Sequence, residues 1–133
     1  MTHGLMTSVL DRLRARGRRL RRLALTASAW HLLPEEIRTA AQHVPILVRD
    51  KPTDREIAEY GIPAAVSGVF VDAGDVDQDA EGPAGAAAPR TGVIVLYLDN
   101  IDPCTAEGIA GVLLHEASHA LGLDDHHLEE LGL

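Results

Sequence analysis

Apolar residues along this chain fall into runs with two different periods. From Pro103 to Leu121, Ile109, Ala110, Val112, Leu113, Ala117, Ala120 and Leu121 recur every three or four positions and predict a largely buried helix. Asp102 followed by Pro103 reads as its N-cap and first turn, and Gly122 as the left-handed residue that ends it. Immediately upstream, Gly92-Val93-Ile94-Val95-Leu96-Tyr97-Leu98 is almost continuously apolar, which predicts a strand buried on both faces. Val66 to Val71, β-branched around Gly68, and Pro45 to Arg49 read as two further strands. Pro34 opens a helix running to about His43, with Leu32, Leu33, Ile37, Ala40 and Ala41 on its core face. Another helix spans Asp54 to Tyr60, started by Thr53 or Asp54 and closed by Gly61.

Two stretches depart from this order. Residues 73–91 carry Asp75, Asp77, Asp79 and Glu81 and then a Gly-, Ala- and Pro-rich tract, a composition that cannot bury a core and predicts a flexible loop. The alternating aspartates lack the glycine and closing glutamate of a calcium loop. Residues 1–22 form an Arg-rich extension in which Leu10, Leu13, Leu20 and Leu23 suit one apolar helix stripe, interrupted by Gly17. The globular domain is therefore expected over 23–133.

Charge sharpens that boundary. Residues 1–22 hold seven Arg against one Asp, a net of +6, whereas 23–133 hold five basic and nineteen acidic side chains, a net of −14. Such an arm suits nucleic acid or an anionic membrane surface. The plainer reading is a solvated extension, or an arm folded against the chain's own acidic body. Leu23-Ala24-Leu25 is too short an apolar core for a signal peptide, although Ala27-Ser28-Ala29 resembles a cleavage site. No apolar stretch is long enough to span a membrane. With 133 residues the chain has room for one core, and at 3% aromatic content Leu, Val, Ile and Ala must fill it. The one cysteine, Cys104, can form no internal disulfide, which fits a reducing, cytoplasmic setting; a lone cysteine is more often a small hydrophobe than a nucleophile.

The chemistry is concentrated in His115-Glu116-Ala117-Ser118-His119-Ala120-Leu121-Gly122-Leu123-Asp124-Asp125. On a helix His115 and His119 lie within about 40° of each other and roughly 6 Å apart along the axis, where two imidazoles can grip one ion. Glu116 falls beside that stripe, and the turn at Gly122 lets Asp125 approach from another direction. Two imidazoles and a carboxylate suit Zn2+, with a fourth position left for water and Glu116 as its general base. Spacing favours Asp125 as third ligand, but His126 could replace it or join it, and a closed set would be structural. Against the competing account of the short pattern, an amphipathic helix with surface histidines, a His-Glu pair in the middle of a largely buried helix is expensive unless a metal or partners satisfy it.

This extended motif has the spacing of metzincin-type zinc peptidases. With the tail Asp125-His126-His127-Leu128-Glu129-Glu130-Leu131-Gly132-Leu133, it resembles the minimal zincin-like metallopeptidase family of short bacterial proteins. Leu33-Pro34-Glu35-Glu36, Val44-Pro45-Ile46-Leu47-Val48 and Val93-Ile94-Val95-Leu96-Tyr97 match more loosely but in the family's order, so the resemblance covers roughly 23–133. It implies an α+β zincin-like fold, with a small mixed sheet of three to four strands packed on helices that include the motif helix. It also implies a zinc metallopeptidase in which His115, His119 and Asp125 bind metal, Glu116 is the base, and an edge strand receives peptide or protein substrate. Which strand is that edge is left open between Val66–Val71 and Val93–Leu98. The only methionines are Met1 and Met6, so the methionine turn of larger metzincins is not expected. No oxyanion donor stands out; Tyr97 is a candidate by side-chain type, and Arg90 has no better claim. Two rivals remain: a metal-binding structural domain without catalysis, and a binding module that uses the basic arm.

Overall fold

The computed structural model describes residues 2–72 and 92–123, with side chains from Ser8 onward. The expected loop at 73–91 and everything after Leu123 lie outside the described residues. The elements follow in the order α1 (Thr2–Leu32), α2 (Glu35–Ala40), β1 (Ile46–Arg49), α3 (Asp54–Tyr60), β2 (Gly68–Asp72), β3 (Gly92–Tyr97), a 3-10 turn (Leu98–Asn100) and α4 (Ala106–Ala120). This is an α+β fold with a three-stranded mixed sheet.

The sheet order is β1-β3-β2, with β1 parallel and β2 antiparallel to the central β3. Residues alternate across β3 as a strand requires. Ile94, Leu96 and Leu98 face a core shared with Ala29 and Leu33 of the α1 region and Ile109, Leu113, Ala117 and Ala120 of α4. Val95 and Tyr97 face the other way, onto Ile62 and the partly buried Ile57 and Tyr60 of the α3 region. The continuous apolar run of β3 thus reflects burial on both faces. Each large aliphatic side chain so enclosed contributes roughly 1.5–3 kcal/mol.

Caps fix the helix ends. Thr53 accepts from the amide of Glu56 at 3.1 Å while Glu56 accepts from the amide of Thr53 at 3.3 Å, a capping box that starts α3; Gly61, at φ +62°, ends it. The α4 helix starts three residues later than the sequence suggests. Its N-cap is Thr105, whose hydroxyl accepts from the amide of Gly108 at 3.1 Å, in place of Asp102. Pro103 carbonyl oxygen passes where a Gly108 side chain would be, so the preceding segment crosses the helix and does not continue it. At the other end Gly122 adopts φ +78°, with Leu123 amide bonded to Ser118 carbonyl and Gly122 amide to His119 carbonyl, both at 2.9 Å. That is a Schellman closure, as Gly122 leads one to expect.

Two further expectations differ from the structure. Gly17 does not interrupt α1, which runs unbroken from Thr2 to Leu32; one glycine costs about 1 kcal/mol, which the surrounding Leu, Arg and Ala offset. Leu32 and Ala40 are exposed, while Leu33 and Ala41 carry the buried contacts. Arg22 ties α1 to the sheet, its Nη1 donating to Asp50 at 2.6 Å beyond β1 and its Nη2 to Asp99 beyond β3. This guanidinium holds the Asp99 carboxyl below its usual range.

Candidate functional site

α4 packs across the sheet face formed by Gly68, Phe70, Ile94 and Leu96, and its middle turns carry the motif. Close packing is possible because residue 68 is glycine. A Cβ there would lie 2.8 Å from Cγ1 of Val112 and 3.4 Å from Cγ of Glu116. The absence of a side chain on β2 thus brings the Glu116 carboxylate against the strand.

His115 and His119, one turn apart on α4, aim the same ring nitrogen at one place. Their Nε2 atoms are 3.0 Å apart and their rings are nearly perpendicular, with centroids 4.5 Å apart. Two imidazoles on a tetrahedral zinc, with Zn–N near 2.0–2.1 Å, hold their nitrogens about 3.3 Å apart. The donor chemistry and the spacing both fit that ion. His115 is exposed and His119 half-buried, so the pair opens to solvent on one side. No set of three metal-binding side chains is assembled among the described residues, and Asp125 and His126 lie outside them.

Glu116 is buried, at 9% exposure, between this pair and β2. Burial pushes its carboxyl above the ordinary range; His119, His115 and a hydrogen bond from the amide of Phe70 offset part of that, and the net shift is upward. The strand register explains the Phe70 contact. Tyr97 amide donates to Ser67 carbonyl at 2.9 Å, and Gly68 and Phe70 lie opposite Leu96 and Ile94. In an antiparallel ladder the hydrogen-bonded pairs alternate, so the amides and carbonyls of Gly68 and Phe70 point away from β3, along the outer edge of β2. Sequence alone left the edge strand undecided. Among the described residues β3 is central, and β2 is the edge beside the motif helix.

A cleft of about 370 Å³ adjoins the pair, lined by Val66, Ser67, Gly68, Gly111, Val112, His115 and Glu116. At Gly111 the cleft is open, since nothing lies within 4 Å of where its Cβ would be. None of Gly68, Gly111 or the Phe70 amide is singled out by sequence reasoning. The only hint was a glycine in the middle of a strand, which often marks close backbone approach.

Tyr97 is not part of this site. It faces the opposite side of the sheet, fully buried, and its hydroxyl donates to Oε2 of Glu56 at 2.6 Å. Burial and that bond push the phenol far up, so it stays protonated. Burial also raises Glu56, but the Tyr97 hydroxyl, the Thr53 amide and hydroxyl, and Arg49, at 3.4 Å, together hold it below its ordinary value. Arg90 lies outside the described residues, and Cys104 is an exposed free thiol.

A sequence profile described as zincin-like metallopeptidase matches residues 41–133, taking in β1 through α4 and leaving α1 and α2 outside. No curated protein matches the chain.

Proposed function

The chain belongs to the zincin-like metallopeptidase family, and from that premise we propose that it hydrolyses peptide bonds in peptide or protein substrates, with Glu116 as general base and Zn2+ held by His115, His119 and Asp125. The observation that carries this reading is the convergence of two Nε2 atoms, 3.0 Å apart, beside a buried carboxylate. When bound, zinc supplies a Lewis acid and brings the pKa of a water to about 7. Glu116 takes the proton of the attacking water and returns it to the leaving amine. Its upward shift suits the first half of that exchange, because a carboxylate whose pKa is raised takes a proton from water more readily than an ordinary one. The Phe70 amide holds the carboxylate in position. An extended substrate adds to the outer edge of β2, using the Gly68 amide and carbonyl and the Phe70 carbonyl, which neither β3 nor Glu116 takes, and lays one side chain toward the Gly111 cleft. The single exposed cysteine supports a cytoplasmic setting for this activity.

The decisive experiment is Glu116→Gln, assayed for zinc content and for cleavage of an unstructured protein substrate. The expected variant binds zinc like the parent and loses at least about a hundredfold in rate. Equal hydrolysis by Glu116→Gln would overturn the mechanism. If the zinc-loaded parent cleaves nothing, the metal is structural. Loss of zinc in Asp125→Ala but not in His126→Ala is expected for the ligand set; the reverse result reassigns the third ligand to His126.

A further inference from the structure

Every residue from Ser8 to Arg21 on α1 is exposed except half-buried Gly17, while the contacts of this helix with α4 gather in its last third. Large apolar side chains stand in that exposed stretch and just past it: Val9, Leu10, Leu13, Leu20 and Leu23 are 42–59% accessible. Their angular positions are ordered. At 100° per residue, Val9, Leu13 and Leu20 fall within about 40° of one another, and adding Leu10 and Leu23 widens the stripe to roughly 140°. The buried or body-bonded residues of α1, Arg22, Thr26 and Ala29, centre roughly 160° away. The leucine stripe therefore faces outward, and nothing in the described body covers it.

Arginines flank the stripe on both sides. Arg12 lies along one border and Arg14 and Arg21 along the other, while Arg16 stands inside the stripe's margin between Leu23 and Val9, and Arg19 lines the groove between α1 and β1 with Arg22 and Asp50. We propose that α1 is a docking helix for an anionic lipid surface, lying flat with Val9, Leu13 and Leu20 in the acyl boundary and Arg12, Arg14 and Arg21 on lipid phosphates at either side. The charges select this occupant over others. Nucleic acid would pair the arginines and leave the leucines in water. A second copy of the arm would bring another +6 against the first. A lipid interface with negative headgroups takes both features at once, since it offers hydrocarbon beneath and phosphate alongside. The rest of the chain, at −14, is repelled by the same surface, so contact is confined to the arm. The matched family region begins at residue 41, so this surface stands outside the portion shared with the family.

Co-sedimentation of the full chain with vesicles tests the proposal, comparing phosphatidylcholine alone with phosphatidylcholine plus phosphatidylglycerol. The expected result is binding to the anionic vesicles only, weakened by salt. Leu13→Gln with Leu20→Gln should reduce affinity at least about thirtyfold, with helix content by circular dichroism unchanged because both side chains are exposed. Arg14→Gln with Arg21→Gln, which leaves the arm at +4, should weaken binding to the anionic vesicles on the order of tenfold or more. Absence of vesicle binding overturns the proposal, as does leucine-independent binding, which would mark a purely electrostatic arm suited to nucleic acid. A concentration-dependent dimer that the leucine variant dissociates, without vesicle binding, would assign the stripe to self-association instead.

Discussion

Gly68 and Val112 approach so closely that a methyl group on the first would sit 2.8 Å from Cγ1 of the second. This contact sets the distance between the edge strand and the helix that carries Glu116. Gly68→Ala must push α4 outward or distort β2, at about 1–3 kcal/mol of overpacking. Displacing Glu116 by a fraction of an ångström should lower kcat/KM on the order of tenfold or more. Val112→Ala empties the space the new methyl needs. The double variant should therefore recover activity and urea-denaturation midpoint relative to Gly68→Ala alone, and strict additivity of the two changes would contradict the contact.

Gly111 makes the opposite case, a glycine that packing does not require. Its Cβ would meet nothing, and it lies mid-helix, where glycine destabilises by roughly 0.5–1 kcal/mol relative to alanine. Gly111→Ala should raise the melting temperature and leave peptide cleavage nearly intact. Gly111→Phe should fill the cleft, raising KM or eliminating turnover while zinc binding stays at the parental level. A Phe variant that cleaves as well as the parent would remove the cleft from the substrate path.

Glu56 and Tyr97 yield a pH prediction away from the site. Glu56 sits below its ordinary value of 4.5 in the folded protein, so its bonds stabilise the fold above that pH, and the contribution is lost as pH falls through the lower folded value. Glu56→Gln should flatten the decline of the urea midpoint between about pH 5 and pH 3. Tyr97→Phe should cost about 1–3 kcal/mol at neutral pH by leaving a buried carboxylate oxygen without its donor. It should also move the acid transition upward. A parallel decline in parent and Glu56→Gln would show that other carboxylates, Asp99 among them, dominate.

What could be read from the sequence was mostly local. The bounds of α3 are fixed by the Thr53–Glu56 box and Gly61, and the end of α4 by Gly122, each a signal contained within a few residues. The start of α4 was not so contained. Asp102 and Thr105 are both competent caps, and only the path of Pro103 across Gly108 selects between them. Tyr97 could be excluded from the site only by parity, once Ile94 and Leu96 were known to face α4. The Phe70 amide on Glu116, the close pass of Gly68 and the openness at Gly111 arise where β2 meets α4. No one-dimensional pattern contains that pairing. The two histidines and Glu116 were legible because one helix holds them all, whereas Asp125, the expected third ligand, lies beyond the described residues.

The unbroken course of α1 through Gly17 has a mechanical consequence. Thirty-one residues of continuous helix form a spar about 46 Å long, its arginines spread over the middle third and its last third, with Ala29, packed on α4. The positive charge therefore lies along the flank of the spar, starting where Arg22 meets Asp50 and Asp99, and not at its tip. Any negatively charged boundary exerts a torque on the molecule before contact. If the helix lies flat on such a boundary by this flank, the His115–Glu116 cleft takes a fixed orientation to it, because the same helix packs on α4.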